Sequence, residues 1–106
     1  MPPRDARKYL YDIAEAADEL SEFVAGKSLD DYLGNRLLRA AVERQFEIVG
    51  EALNQLSKLD PAQKIISFRN ILIHGYADVD DELVWDIVET SLPILRNEIA
   101  QIIAEK

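Results

Sequence analysis

The stretch LDDYLGNRLLRAAVERQFEIVGEALNQLSK, residues 29–58, decides the fold class. Its apolar residues recur at steps of three and four, which places them on one wide face of a long helix. A face of this width predicts contacts with neighbouring helices on more than one side. The residues on it are Leu38, Ala41, Val42, Ile48, Val49, Ala52, Leu53 and Leu56.

A second helical pattern precedes this stretch, from about Arg4 to Val24. Gly26 follows it and suits the left-handed turn that ends a helix. Ser28 and Asp31 then have the spacing of a capping box, which predicts the start of the next helix. The apolar stripe of this first helix consists of Leu10, Ile13, Ala17, Leu20 and Val24.

Two more helical patterns follow residue 58. Pro61 suits the first position of a short helix that runs to about Ile73. An acidic cluster at residues 80–82 favours the positive end of a fourth helix, which continues to the C-terminus. No segment alternates with a period of two, so the sequence predicts an all-α antiparallel bundle of about four helices. The apolar stripe of the fourth helix consists of Val84, Ile87, Val88, Leu92, Leu95, Ile99 and Ile102.

Length and charge limit the function. The chain of 106 residues fits one domain, residues 1–106, and its formal net charge is −8. That charge argues against a protein that coats nucleic acid nonspecifically, because such binding depends on cation density, but one local cationic cleft remains compatible with RNA. The absence of Cys and of an apolar signal or membrane segment predicts a soluble cytoplasmic protein with no membrane association.

One short segment gathers residues that carry chemistry: RNILIHGY, residues 69–76, which contains the only His of the chain. Asn70 and His74 are four residues apart, so they share a helical face and the amide can fix the imidazole tautomer. The planar guanidinium of Arg69 suits a phosphate, and the near-neutral pKa of an imidazole suits removal of the 2′-hydroxyl proton of RNA. The segment therefore predicts a ribonuclease that needs no metal or other cofactor.

A structural interpretation of the same residues stays open. A His near the end of a helix is commonly stabilised there by the helix dipole, and Arg69 has many acidic side chains to pair with. Tyr76 then packs over the turn at Gly75. Arg69 and His74 also lie about 140° apart on an ideal helix, so one phosphate reaches both only if the last turn unwinds or Arg69 reaches around.

The same segment resembles the R-x(4)-H-x-Y signature of HepT-like proteins, the ribonuclease toxins of the HEPN superfamily. The resemblance extends, in family order, to residues 9–13, 41–52, 79–88 and 92–93. It implies a HEPN-like homodimer in which the catalytic pair of both chains shares a cleft. Between Leu56 and Arg69 this chain is shorter than is usual in the family.

The resemblance also implies roles and a partner. Arg69 and His74 correspond to the catalytic residues, Asn70 to their support, and Tyr76 to a tyrosine that accepts AMP. The partner is a minimal nucleotidyltransferase antitoxin of the MntA type in a type VII toxin–antitoxin system.

Three alternative functions are compatible with the sequence. The first is the endoribonuclease toxin, which the Arg69 and His74 pair favours. The second is a non-catalytic helical dimer that docks a nucleotidyltransferase, which the acidic composition favours. The third is an RNA-binding subunit without turnover.

Overall fold

The computed structural model describes residues 4–59 and 80–105, and in this part of the chain it contains α-helices and no β-strand. The first helix predicted from the sequence is confirmed, and so is the fourth, together with the all-α class. The predicted helix from Pro61 to Ile73 lies outside the described residues. The helices are α1 (Arg4–Val24), α2 (Leu29–Leu33), α3 (Arg36–Leu59) and α4 (Asp81–Glu105).

The prediction of one continuous helix over residues 29–58 is wrong, because the chain breaks between α2 and α3. The N–H of Gly34 donates to the carbonyl oxygen of Asp30 at 3.0 Å and closes α2. The side-chain oxygen of Asn35 accepts from the N–H of Leu38 at 3.0 Å and begins α3. Asn35 is thus an N-cap, which competes locally with continuation of the preceding helix.

The predicted signals between α1 and α2 are confirmed. Gly26 has a φ of 73°, in the left-handed region that favours glycine. The N–H of Asp31 donates to the Ser28 hydroxyl at 3.2 Å, and the N–H of Ser28 donates to the Asp31 carboxylate at 2.9 Å. The hydrogen bond from the Ser28 backbone is the main reason why the pKa of Asp31 is lowered.

A single core joins the helices, because α1 packs against both α3 and α4, and α2 also lies against both. Every residue of the predicted α4 stripe is buried, and so are the four predicted α1 residues from Leu10 to Leu20. Two aromatic residues outside the predicted stripes, Tyr32 and Trp85, are buried with ring centroids 5.2 Å apart. Their contact fixes α2 against the first turns of α4.

None of the helices in the described ranges is long and apolar enough to cross a lipid bilayer.

Candidate functional site

The residues predicted to carry the chemistry all belong to one segment. Arg69, Asn70, His74 and Tyr76 lie outside the described residues. Their mutual arrangement therefore stays a prediction. The structure describes the frame that carries them: α3, which precedes the segment, and the start of α4, which follows it.

The start of α4 is defined by Asp80. Its side-chain oxygen Oδ1 accepts from the N–H of Glu82 at 3.1 Å and from the N–H of Leu83 at 3.3 Å. Its carbonyl oxygen accepts from the N–H of Val84 at 3.0 Å, the first turn of the helix. Asp80 is thus an N-cap whose negative charge also suits the helix dipole, as the acidic cluster predicted.

Arg39 joins three helices next to this start. Its Nη1 donates to the carbonyl oxygen of Tyr32 at 3.3 Å and also to that of Leu33, the last residue of α2. Its Nε lies 3.7 Å from Oδ2 of Asp81, the first residue of α4. Because Arg39 itself is on α3, one guanidinium holds the end of α2 and the start of α4 against the same helix.

Two side-chain polar atoms of the residues that Arg39 contacts are buried without a hydrogen-bond partner in the part of the chain that the structure describes. They are the hydroxyl of Tyr32 and Oδ1 of Asp81. Burial raises the pKa of Tyr32 to about 12, and the negative charges of Asp81 and Glu43 add to the shift while Arg39 opposes it.

The junction cluster, which we define as Tyr32, Arg39, Asp81 and Trp85, was not predicted as a unit. The sequence shows Arg39 as one of several charges along a helix and Asp81 as a member of an acidic cluster. Neither pattern predicts that the two pair, because the contact depends on how α3 and α4 are placed relative to each other.

The carboxylates of Glu47 and Glu51 are exposed and form contacts within α3. Arg44 Nη1 lies 3.4 Å from the Glu47 carboxylate, and Gln55 Nε2 donates to Glu51 at 3.2 Å. In the described ranges no three His or carboxylate side chains come together as ligands of a metal ion.

Comparison with known proteins identifies the family of this chain. The model of the family described as ribonuclease HepT-like matches residues 13–102, a range that includes residues 69–76. The chain belongs to the HepT-like ribonuclease family. This membership confirms the resemblance drawn from the motif and the predicted class of enzyme, and the all-helical structure agrees with a HEPN-like bundle.

Three relatives illustrate the family. "Putative RNase MJ1380" of Methanocaldococcus jannaschii is 34% identical over 106 residues, which cover 93% of this chain and 97% of the relative. "Putative RNase MJ1216" of the same organism is 30% identical over 112 residues, which cover 99% of this chain and 93% of the relative. "Probable ribonuclease HepT" of Thermococcus cleftensis is 33% identical over 102 residues, which cover 90% of this chain and 93% of the relative. No solved structure matches the chain.

The second of these alignments bears on the length of the chain. It spans 112 positions, whereas the chain has 106 residues. That relative therefore carries residues that this chain lacks. The shorter connection expected between Leu56 and Arg69 stays a prediction.

Proposed function

We propose that the protein is a cytoplasmic endoribonuclease toxin that cleaves RNA without a metal ion. The observation that supports this most directly is that a chain of the HepT-like ribonuclease family retains the residues of the R-x(4)-H-x-Y signature as Arg69, His74 and Tyr76. In this proposal Arg69 and His74 are the catalytic residues, and Asn70 supports His74 by fixing its tautomer.

The chemistry is an internal transesterification of RNA. His74 removes the proton of the 2′-hydroxyl, and the 2′-oxygen then attacks the adjacent phosphorus. The bond between phosphorus and the 5′-oxygen breaks, and that oxygen leaves with a proton from an acid on the other side. Arg69 offsets the charge that develops on the phosphate oxygens. The products carry a 2′,3′-cyclic phosphate and a 5′-hydroxyl.

The reaction uses a base and an acid, whereas one chain contains a single His. We therefore propose a two-fold dimer in which the second imidazole is that of the partner subunit's His74. Two Arg69 side chains would then face one phosphate, and this local concentration of positive charge accounts for RNA binding by a chain of net charge −8.

We propose that Tyr76 is the regulatory residue. A minimal nucleotidyltransferase antitoxin would place ATP beside it together with Mg²⁺. The phenol oxygen attacks the α-phosphorus, pyrophosphate leaves, and the phenol proton passes to a base or to solvent. Tyr76 follows Arg69 by only seven residues. The negative charge and bulk of the attached AMP would therefore compete with RNA for the Arg69 guanidinium.

The decisive experiment is cleavage of total RNA by the purified protein, with His74→Ala as the matched variant. The expected result is cleavage in the presence of EDTA, products with 2′,3′-cyclic or 3′-phosphate ends, and no cleavage by the variant. Products with 3′-hydroxyl ends, or complete loss of cleavage in EDTA, would contradict the mechanism.

The second candidate is a non-catalytic helical dimer that docks the nucleotidyltransferase. Its support is the acidic composition, 20 acidic against 12 basic side chains, which suits a protein partner better than RNA. The same assay distinguishes the two functions, because a docking module leaves RNA intact whether or not His74 is present.

A further inference from the structure

The junction cluster includes the first residue of α4, Asp81, which follows the proposed catalytic segment (residues 69–76) in the sequence. Asp81 follows His74 by seven residues and Tyr76 by five. Even a fully extended chain of seven residues spans only about 25 Å. The position of Asp81 therefore limits how far from the start of α4 the proposed catalytic segment can lie.

The cluster is a weak source of stability. The side chains of Arg39 and Asp81 are 25% and 31% exposed, and ion pairs with such contact to water contribute little to the free energy of folding. The hydroxyl of Tyr32 and Oδ1 of Asp81 are buried without a partner among the described residues, which opposes folding. Directional polar contacts of this kind are better suited to selecting one arrangement of helices than to strengthening it.

A second ion pair in the molecule provides a comparison. Arg96 on α4 donates from Nη2 and Nε to Asp18 on α1 at 2.9 and 3.1 Å, and from Nη1 to Ser21 at 3.2 Å. It also joins two helices through an arginine and an aspartate. Arg96 stands more than four helical turns beyond the start of α4, so its loss leaves the junction cluster intact.

We propose that Arg39 and Asp81 are positioning residues for the ribonuclease site, because together they hold the start of α4 against α2 and α3 at the end of the catalytic segment. This inference rests on the proposed function. The ring contact of Tyr32 with Trp85 also joins α2 to α4, and neither Arg39 nor Asp81 needs to touch RNA. Their loss should lower kcat while the KM for RNA changes little.

The test compares Arg39→Met and Asp81→Asn, singly and together, with the matched pair Arg96→Met and Asp18→Asn. Steady-state kinetics on a short fluorescent single-stranded RNA give kcat and KM, and thermal melting gives the stability of each variant. We expect each junction variant to lose about tenfold or more in kcat, as small misplacements of catalytic groups do. The double variant should lose no more than the worse single variant, because both changes break the same contact. The control pair should stay within twofold of the wild type.

A readout that does not depend on activity separates this inference from the proposed function. Hydrogen exchange of the amides in residues 69–80 should be faster in Asp81→Asn than in the wild type and in Arg96→Met. Asp81→Asn preserves the size of the side chain, so it carries the test if Arg39→Met fails to fold.

The outcomes are distinct. A wild-type protein that leaves RNA intact contradicts the proposed function, and the exchange rates then test the positioning alone. If the wild type cleaves RNA and both junction variants keep kcat within twofold, the positioning role is wrong. It is also wrong if the control pair loses as much kcat as the junction pair, since any ion pair between helices would then have the same effect.

Discussion

The hydroxyl group of Tyr32 shows how a single buried polar group affects stability. Its side chain is fully buried, and its pKa is raised from about 10 to about 12. Between these two pH values the folded protein keeps a proton that the unfolded chain has lost. The free energy of unfolding contributed by this group is therefore constant below about pH 10 and falls as the pH rises towards about 12, by roughly 2 to 3 kcal/mol in total.

Urea unfolding at about pH 9 and pH 11 measures this effect. We expect the wild type to lose about 1 kcal/mol more between the two pH values than Tyr32→Phe, which has no proton to lose at this position. Tyr11→Phe is the matched control, because the side chain of Tyr11 is 54% exposed. Equal losses in the wild type and in Tyr32→Phe would show that the burial of Tyr32 does not control its titration.

Tyr76 provides the second prediction for a single residue. Co-expression with the cognate nucleotidyltransferase should raise the intact mass of the protein by one or more AMP residues, and Tyr76→Phe should remain at its unmodified mass. The phenol oxygen is the proposed nucleophile, and phenylalanine removes only that atom. Modification of the phenylalanine variant, or its full neutralisation by the partner, would mean that inhibition proceeds through another contact.

The N-cap residues of α3 and α4 lead to a prediction about the free energy of unfolding. The Asp80 side chain caps α4 by accepting hydrogen bonds from two backbone N–H groups, and the Asn35 side chain caps α3 by accepting one. Replacement of either by alanine should lower the free energy of unfolding by about 1 kcal/mol, whereas Asp80→Asn should retain most of it. Chemical denaturation checks these values. Asp80→Ala should also reduce ribonuclease activity more than Asn35→Ala does, because only Asp80 adjoins the catalytic segment in the sequence.

The same elements show what the sequence can predict. The apolar stripes of α1 and α4 were predictable because the pattern repeats within one or two helical turns. The capping box at Ser28 was predictable because its two residues are only three positions apart. The break at Asn35 was missed because the apolar pattern continues across it, while a single asparagine side chain decides the local hydrogen bonding. The contact of Arg39 with Asp81 was missed because those residues are far apart in sequence and meet only through packing.

The catalytic segment illustrates a different limit. The types and spacing of Arg69, Asn70, His74 and Tyr76 led to the family, and the family match covers them. Spacing alone left open whether Arg69 and His74 reach one phosphate, because five residues of ideal helix turn them to different faces. That question depends on the backbone at the end of the segment and, in the proposed dimer, on the second subunit, and neither is encoded in a local pattern.

At the scale of the whole molecule, the net charge of the chain and the proposed reaction have opposite effects on RNA binding. A net charge of −8 repels RNA, while the proposed reaction brings a phosphate to Arg69. The proposed two-fold dimer would reconcile the two, because it would place both copies of Arg69 in one cleft, away from most of the acidic side chains. Large apolar side chains exposed on two of the helices, Leu37 at 81% and Ile94 at 53%, are available to a second subunit.

The dimer leads to the last prediction, which concerns the assembly itself. The chain has a mass of 12.0 kDa, so sedimentation at micromolar concentration should give a species of twice that mass. Dimers that combine one wild-type and one His74→Ala chain, purified through different tags, should then cleave RNA at well below half the wild-type rate per dimer. The reason is that one cleft would need two imidazoles, one to accept the 2′-proton and the other to protonate the leaving 5′-oxygen. Dimers of two wild-type chains that carry the same two tags serve as the control. If the mixed dimers keep half the activity, each subunit contains a complete site, and the second proton donor must then be sought within the same chain.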